Sequence, residues 1–163
     1  LAEAQGGRWA EGAALRAAQM AGALAAIRDM AIEYANIRVQ FGKPIGKFQA
    51  VQQALAQLAG EAAAAGMAAA MAARALDQEG GALHIAAAKI RAGEAAGTGA
   101  TIAHQSHGAI GFTDDHRLHD LTRRLWTWRD DFGGERYWAG EIGRLAVEAG
   151  GDVWGLLTGT GRG

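Results

Sequence analysis

The stretch RVQFGKPIGKFQ, residues 38–49, separates two long alanine-rich helical patterns and therefore decides how the chain folds. It holds the one proline of the chain, Pro44, between Gly42 and Gly46, and these three residues predict a helix stop and a turn. The same stretch carries an arginine, two phenylalanines and two glutamines. A connection between helices needs only a breaker, a cap and polar residues. The additional side chains suggest a turn that also contacts a ligand.

Helical patterns flank this stretch and continue almost to the end of the chain. Apolar residues from Met20 to Ile37 recur at spacings of three and four, and the same spacing returns after Phe48. Alanine then occupies most positions, and Met67 and Met71 are expected to fill irregular gaps between helices. Period-two alternation and β-branched runs do not occur, so a sheet is not expected. The predicted helices cover about residues 9–39, 47–78, 82–107, 116–128 and 135–149.

Long helices joined by short turns predict an all-α fold in which neighbouring helices pack antiparallel, as in an up-down bundle. The length of 163 residues fits one domain with a sizeable core. Residues 9–149 are assigned to the bundle, residues 1–8 to a linker or N-terminal remnant, and residues 150–163 to a glycine-rich tail.

Composition argues against several classes of protein. The formal net charge of -1 gives no electrostatic footprint for nucleic acid or an anionic membrane. Cysteine is absent, which excludes disulfides and thiolate metal sites and predicts a cytoplasmic location. No uninterrupted apolar stretch reaches the roughly 18 residues that span a bilayer, so membrane insertion is not expected. Two i, i+3 histidine pairs, His104 with His107 and His116 with His119, lack the further ligands of a metal centre, and none is expected.

Two segments combine the residue types of a nucleotide site, and each has a plainer interpretation. In the first, a guanidinium at Arg38 can bind phosphate oxygens and an aromatic ring at Phe41 can cover a planar ring. Alternatively, Arg38 caps the first helix, whose C-terminal end favours positive charge. In the second, residues 105–111 (QSHGAIG), glycines can let the backbone approach a ligand or can simply end a helix. On residue types alone, the plainer interpretation is preferred for both.

Acidic residues flank the break at Phe132, Gly133 and Gly134. A carboxylate at such a break, for example Asp131 or Glu135, can act as a general base near a ligand. Alternatively, these acids stabilise the first turn of the last helix, where negative charge is favourable.

Three longer stretches together resemble the C-terminal helical domain of the acyl-CoA dehydrogenases, the flavoenzymes that oxidise acyl-CoA thioesters. The resemblance covers about residues 15–149 and implies a four-helix bundle that follows an N-terminal helical domain and a β-domain, both absent from this sequence. It favours the ligand interpretation of both segments above. The stretches are EYANIRVQFGKPIGKFQAVQ (residues 33–52), AAKIRAGEAA (residues 87–96) and HQSHGAIGFTDDHRLHDLTRR (residues 104–124).

The resemblance implies FAD as cofactor, bound between the bundle and the β-domain, with its ADP portion reaching a neighbouring subunit. Arg38 matches the arginine that contacts the FAD pyrophosphate. An acyl-CoA substrate, electron-transfer flavoprotein as electron acceptor, and a homo- or hetero-oligomer (dimer or tetramer) are implied as partners. The other implied FAD contacts are Gln40, Phe41, Phe48, Gln49, Gln105, Ser106, His107, Gly108 and Ala109.

The implied reaction is α,β-dehydrogenation of an acyl-CoA thioester, but the usual catalytic glutamate is missing. Its position falls on Phe132, or on Gly133 with one insertion, and neither residue can remove a proton. Some relatives carry the base near the start of the first long helix, which points to Glu11. Three possibilities stay open: Glu11 is the base, a shifted acid such as Asp131 or Glu135 is, or the chain is a non-catalytic flavin-binding partner subunit of a heteromeric dehydrogenase. Without the β-domain, the chain alone is expected to be inactive.

Overall fold

The computed structural model describes residues 2–76 and 80–158, which form a helical bundle with one small hairpin. Short 3₁₀ turns follow the hairpin at Ile45–Lys47 and the third long helix at Gly108–Phe112. The all-α prediction is confirmed. The elements are α1 (Ala2–Ile37), β1 (Val39–Gln40), β2 (Lys43–Pro44), α2 (Gln49–Ala75), α3 (Gly81–His107), α4 (Leu118–Asp130), α5 (Glu135–Glu148) and α6 (Val153–Thr158).

The helices pack as the predicted antiparallel four-helix bundle. The three long helices α1, α2 and α3 pack against one another, α4 packs against α1 and α3, and α5 lies on α3. The largest difference from prediction is at the N-terminus, where α1 begins at Ala2 and includes most of the expected linker. Glycine costs only about 1 kcal/mol in a helix interior, so Gly6 and Gly7 do not stop it. Residues 77–79 and 159–163, part of the predicted second helix and tail, lie outside the described residues.

Small side chains let the three long helices approach closely. Met20, Leu24 and Leu58 are fully buried, and alanine fills most of the remaining core positions. A Cβ added to Gly99 of α3 would lie 2.6 Å from the Leu24 side chain and 3.2 Å from that of Leu58. Glycine is therefore required where α3 meets α1 and α2.

The expectation that Met67 and Met71 fill core gaps is wrong. Their exposures are 64% and 46%, because Ala65, Ala69 and Ala72 on the opposite face of α2 make the core contact. Within the described residues, α2 is also the one helix long and apolar enough to cross a membrane by length and composition. The core helices of soluble alanine-rich bundles have the same properties, so this feature alone does not indicate a membrane.

The hairpin between α1 and α2 was not expected from the sequence. Val39 pairs with Pro44 and Gln40 with Lys43 in an antiparallel register, which leaves Phe41 and Gly42 as the turn. Their φ values of 50° and 80° are both positive, as in a type I′ turn. A positive φ is unusual for an aromatic residue, and the Phe41 ring is 92% exposed. The turn therefore holds this ring away from the bundle.

Candidate functional site

The two segments predicted to contact a nucleotide lie at one end of the bundle. The Tyr34 ring, in the last turn of α1, stacks on the His107 ring at the end of α3, with centroids 4.6 Å apart and planes at 25°. The Arg38 amide donates to the Tyr34 carbonyl at 2.9 Å, so the hairpin starts one turn from this stack. We call this region, residues 34–49 and 104–112, the hairpin end. Packing of α1 on α3 thus joins segments that are far apart in sequence.

The hairpin presents unpaired polar groups to the outside. Arg38, Gln40 and Gln49 are exposed, and their side chains make no hydrogen bond or ion pair within residues 2–76 and 80–158. The Arg38 guanidinium therefore does not cap α1. Phe48 is half-buried and meets the Phe41 ring edge-on at 6.1 Å. The result is a cation, two amides and an aromatic face that are all available to a ligand.

The end of α3 opens onto a groove of about 410 Å³. Gly108 ends the helix at a φ of 66°, a conformation that favours glycine, and its amide donates to the His104 carbonyl. Gln105 and Ala109 are exposed, whereas Ser106 is half-buried and donates its hydroxyl to the Ile102 carbonyl at 2.8 Å. The groove is lined by Thr101, His104, Gln105, Gly108, Phe112 and Trp126.

His107 differs from the other predicted FAD contacts because its ring is only 3% exposed. Its Nδ1–H donates to the Ala103 carbonyl at 2.8 Å, so Nε2 carries the lone pair and is buried without a partner among the described residues. Burial lowers the pKa of His107, the hydrogen bond to Ala103 raises it, and nearby His116 lowers it again. The neutral ring supports the segment from inside by stacking on Tyr34.

His104 is a groove residue that sequence reasoning treated only as a possible metal ligand. Its ring stacks on Phe112 with centroids 4.1 Å apart, and its Nε2 lies 2.9 Å from the Thr122 hydroxyl oxygen. That hydroxyl donates to the His119 carbonyl at 3.2 Å, so it accepts from Nε2–H, and Nδ1 keeps a buried lone pair. Burial lowers the pKa of His104, and the nearby charges of His107 and His119 lower it further. His104 therefore contributes a neutral ring to the groove wall, and its Nδ1 lone pair is buried beside Gly111.

The candidate base positions lie far from the hairpin end, at or beside the turn of residues 131–134 between α4 and α5 and, for Glu11, near the start of α1. Phe132 and Gly133 have φ values of 56° and 92°. The Phe132 ring packs edge-on against Trp9 at 5.4 Å and covers Gly12 so closely that an added Cβ would overlap it. Tyr34 follows Gly12 by twenty-two helical steps, which corresponds to about 33 Å along α1.

The acids beside this turn are engaged in ion pairs. Asp131 Oδ2 lies 2.9 Å from Arg16 Nε. Glu135 Oε1 lies 2.5 Å from Arg129 Nε, and the carboxylate covers Gly93 of α3. Glu11, in contrast, is exposed on α1 and has no ion pair within the part of the chain that the structure describes.

Lys89 is the residue near this turn that sequence reasoning missed. It is 1% exposed, and its Nζ donates to the carbonyls of Arg129 at 2.6 Å and Gly133 at 2.8 Å. Burial lowers the pKa of Lys89, whereas the carboxylates of Glu135, Asp130 and Asp131 raise it. The sequence could have indicated this buried residue, because Lys89 is a single lysine between the apolar residues Ala88 and Ile90.

Comparison with known proteins adds the evolutionary context. The family model described as acyl-CoA dehydrogenase, C-terminal domain, matches residues 4–129. Acyl-CoA dehydrogenase FadE34 of Mycobacterium tuberculosis is 40% identical over 136 residues, which are 82% of this chain and 19% of that protein.

Solved structures give the same result. A chain of the ChsE4–ChsE5 complex from Mycobacterium tuberculosis matches with a TM-score of 0.82 and 29% identity, over 86% of this chain and 38% of that one. The glutaryl-coenzyme A dehydrogenase complex with glutaryl-CoA matches with a TM-score of 0.80 and 34% identity, over 90% of this chain and 37% of that one. The chain thus spans between about a fifth and two fifths of the proteins that it matches.

Proposed function

The chain belongs to the acyl-CoA dehydrogenase family, and from this premise we propose that it is the flavin-binding C-terminal bundle of an enzyme that dehydrogenates an acyl-CoA thioester between its α and β carbons. One observation carries the proposal: the unpaired Arg38 and the exposed Phe41 ring lie at the same end of the bundle as the glycine-opened end of α3. A guanidinium binds a diphosphate bidentately, and an aromatic face covers a planar ring.

The residues at the hairpin end fit FAD. Arg38 has no competing carboxylate in the described residues and would hold the diphosphate oxygens. The amides of Gln40, Gln49 and Gln105 would meet polar ring and ribityl atoms, and Gly108 would let the backbone come close. When bound, FAD supplies the two-electron acceptor for the oxidation. Electron-transfer flavoprotein is the proposed onward acceptor, and the proposed location is the cytoplasm.

The separation within the bundle supports an oligomer. The hairpin end and the turn of residues 131–134 lie about 33 Å apart along α1, which is too far for both to contact one ring system. We infer that the hairpin end contributes to the active site of a neighbouring subunit, whereas the turn belongs to the site of its own protomer. The proposed active form is therefore at least a dimer.

Proton removal from the α carbon needs a carboxylate that is free to accept the proton. Asp131 and Glu135 are each held by an arginine, and Glu135 also packs on Gly93. Glu11 has no such partner in the described residues, and it precedes Gly12, the residue that the Phe132 ring covers. It is the base that we propose for a catalytic protein.

A second function is favoured by the contact between Phe132 and Gly12. The resemblance aligns Phe132 with the usual base position, and the Phe132 ring leaves no room for a side chain at position 12. The alternative proposal is a non-catalytic flavin-binding subunit whose partner carries the active site. One solved relative is itself a complex of two proteins, ChsE4 and ChsE5.

The test is reduction of a dye by the complete protein or complex with butyryl-CoA, octanoyl-CoA or glutaryl-CoA as donor. Loss of activity in Glu11→Gln, with activity kept in Asp131→Asn and Glu135→Gln, supports Glu11 as base. Indifference to all three changes supports the partner subunit. Absence of bound flavin in the purified complete protein would refute both proposals. The chain alone is expected to be inactive, and detectable acyl-CoA oxidation by it would contradict the need for other domains.

A further inference from the structure

The turn of residues 131–134 is fastened by side chains from three helices. Lys89 of α3 donates to the Arg129 carbonyl, which precedes the turn, and to the Gly133 carbonyl within it. Trp138 of α5 donates its indole N–H to the Phe132 carbonyl at 3.0 Å. Arg16 of α1 pairs with Asp131 at 2.9 Å.

These contacts surround a backbone conformation that is unfavourable for a phenylalanine. Phe132 and Gly133 both have positive φ, and for a bulky residue such as Phe132 this is strained. Strained backbone persists only where its surroundings over-determine it, and it concentrates at functional sites. A turn that only joined α4 to α5 could relieve the strain with glycine at position 132.

We propose that Lys89 is a positioning residue that sets the conformation of the 131–134 turn and thereby the surface that Phe132 offers to the acyl thioester. This inference rests on the proposed function, which assigns the turn to the acyl side of the site. Lys89 itself is 1% exposed and acts only through the two carbonyls that it binds. Its ammonium also lies where the C-terminal end of α4 favours positive charge.

The position of Lys89 separates its effect from FAD binding at the hairpin end. His107 follows Lys89 by eighteen helical steps along α3, which is about 27 Å of helix. Replacement of Lys89 by methionine keeps an unbranched apolar side chain one atom shorter than lysine and removes both hydrogen bonds. The turn is then free to relax, while Arg38 and the end of α3 keep their geometry.

The experiment compares the complete protein with its Lys89→Met and Leu58→Ala variants. FAD affinity is measured by flavin fluorescence, and kcat and KM by dye reduction with butyryl-CoA, octanoyl-CoA and glutaryl-CoA. Leu58 is fully buried between α2 and α3, so Leu58→Ala is a control that destabilises the core away from the turn. Trp138→Phe removes the hydrogen bond to the Phe132 carbonyl and provides a second variant if Lys89→Met does not fold.

The expected result is a loss of at least about tenfold in kcat/KM for Lys89→Met, with the FAD dissociation constant within about threefold of wild type. Leu58→Ala is expected to lower the melting temperature while keeping kcat/KM, and Trp138→Phe to lower kcat/KM like Lys89→Met. If Lys89→Met folds and keeps the wild-type kcat/KM, this inference is overturned but the proposed function is not. If Lys89→Met does not fold, the same result in Trp138→Phe has the same consequence. The inference is also overturned if Leu58→Ala loses as much kcat/KM as Lys89→Met for the same fall in melting temperature. A wild-type protein that holds FAD but is reduced by none of the thioesters overturns the proposed function together with the inference.

Discussion

Replacement of Arg38 by alanine tests the hairpin end most directly. The guanidinium is exposed and unpaired in the described residues, so its removal breaks no intramolecular contact. Surface substitutions of this kind change the free energy of unfolding by about 0.5 kcal/mol or less. The proposed contact with the FAD diphosphate, in contrast, is a charge-assisted hydrogen bond worth about 1.5–3 kcal/mol. The FAD dissociation constant should therefore rise by roughly 10- to 150-fold.

The assay is titration of the flavin-free complete protein with FAD, followed by quenching of flavin fluorescence. Arg74→Ala is the matched control, because Arg74 is also exposed but lies in the last turn of α2, far from the hairpin end. Arg38→Lys keeps the charge but loses the bidentate geometry, and an intermediate dissociation constant is expected. Equal FAD affinity in Arg38→Ala and Arg74→Ala would refute the reasoning from which the hairpin end was assigned to FAD.

Three further predictions follow from the structure. Gly99→Ala should lower the free energy of unfolding by about 1–3 kcal/mol in chemical denaturation, because the new Cβ would lie 2.6 Å from the Leu24 side chain. An unchanged free energy of unfolding would contradict the close packing of α3 on α1. The free energy of unfolding should fall as the pH drops below about 6.5, because burial lowers the pKa of His107 and the unfolded chain therefore takes up the proton first. The loss should be at most about 1.4 kcal/mol per pH unit for each histidine. In melting curves between pH 8 and pH 5, His107→Phe should show less of this loss, and an identical loss would assign it to other groups. Phe132→Glu introduces a carboxylate at the position where the resemblance implies the base. If the wild-type protein is the non-catalytic subunit, this variant should gain acyl-CoA-dependent dye reduction. A variant that binds flavin but has no activity would count against that alternative.

The local part of the fold could be predicted because it depends on short-range spacing. Apolar residues three and four apart define helix faces, so α3 and α5 were predicted to within about one residue of their observed bounds. The stop after α1 followed from Pro44 and its flanking glycines. The small hairpin was missed because two-residue strands have no alternation to detect, and a type I′ turn with phenylalanine in its first central position has no common sequence signal.

The residue types of the candidate site could likewise be read from the sequence, whereas the contacts between them could not. The residue types of the hairpin and of residues 105–109 were evident from the sequence, and so was the phenylalanine at position 132, where the resemblance implies a glutamate. Only the tertiary structure brought Tyr34 onto His107, engaged Asp131 and Glu135 with arginines, and buried Lys89 against the turn. Helix periodicity depends on neighbours within one or two turns, whereas these contacts join residues of different helices and depend on how the whole bundle packs. The sequence by itself therefore determined the helices and the residue types of the hairpin and of the end of α3, and packing decided which side chains meet and which acid stays without an ion pair among the described residues.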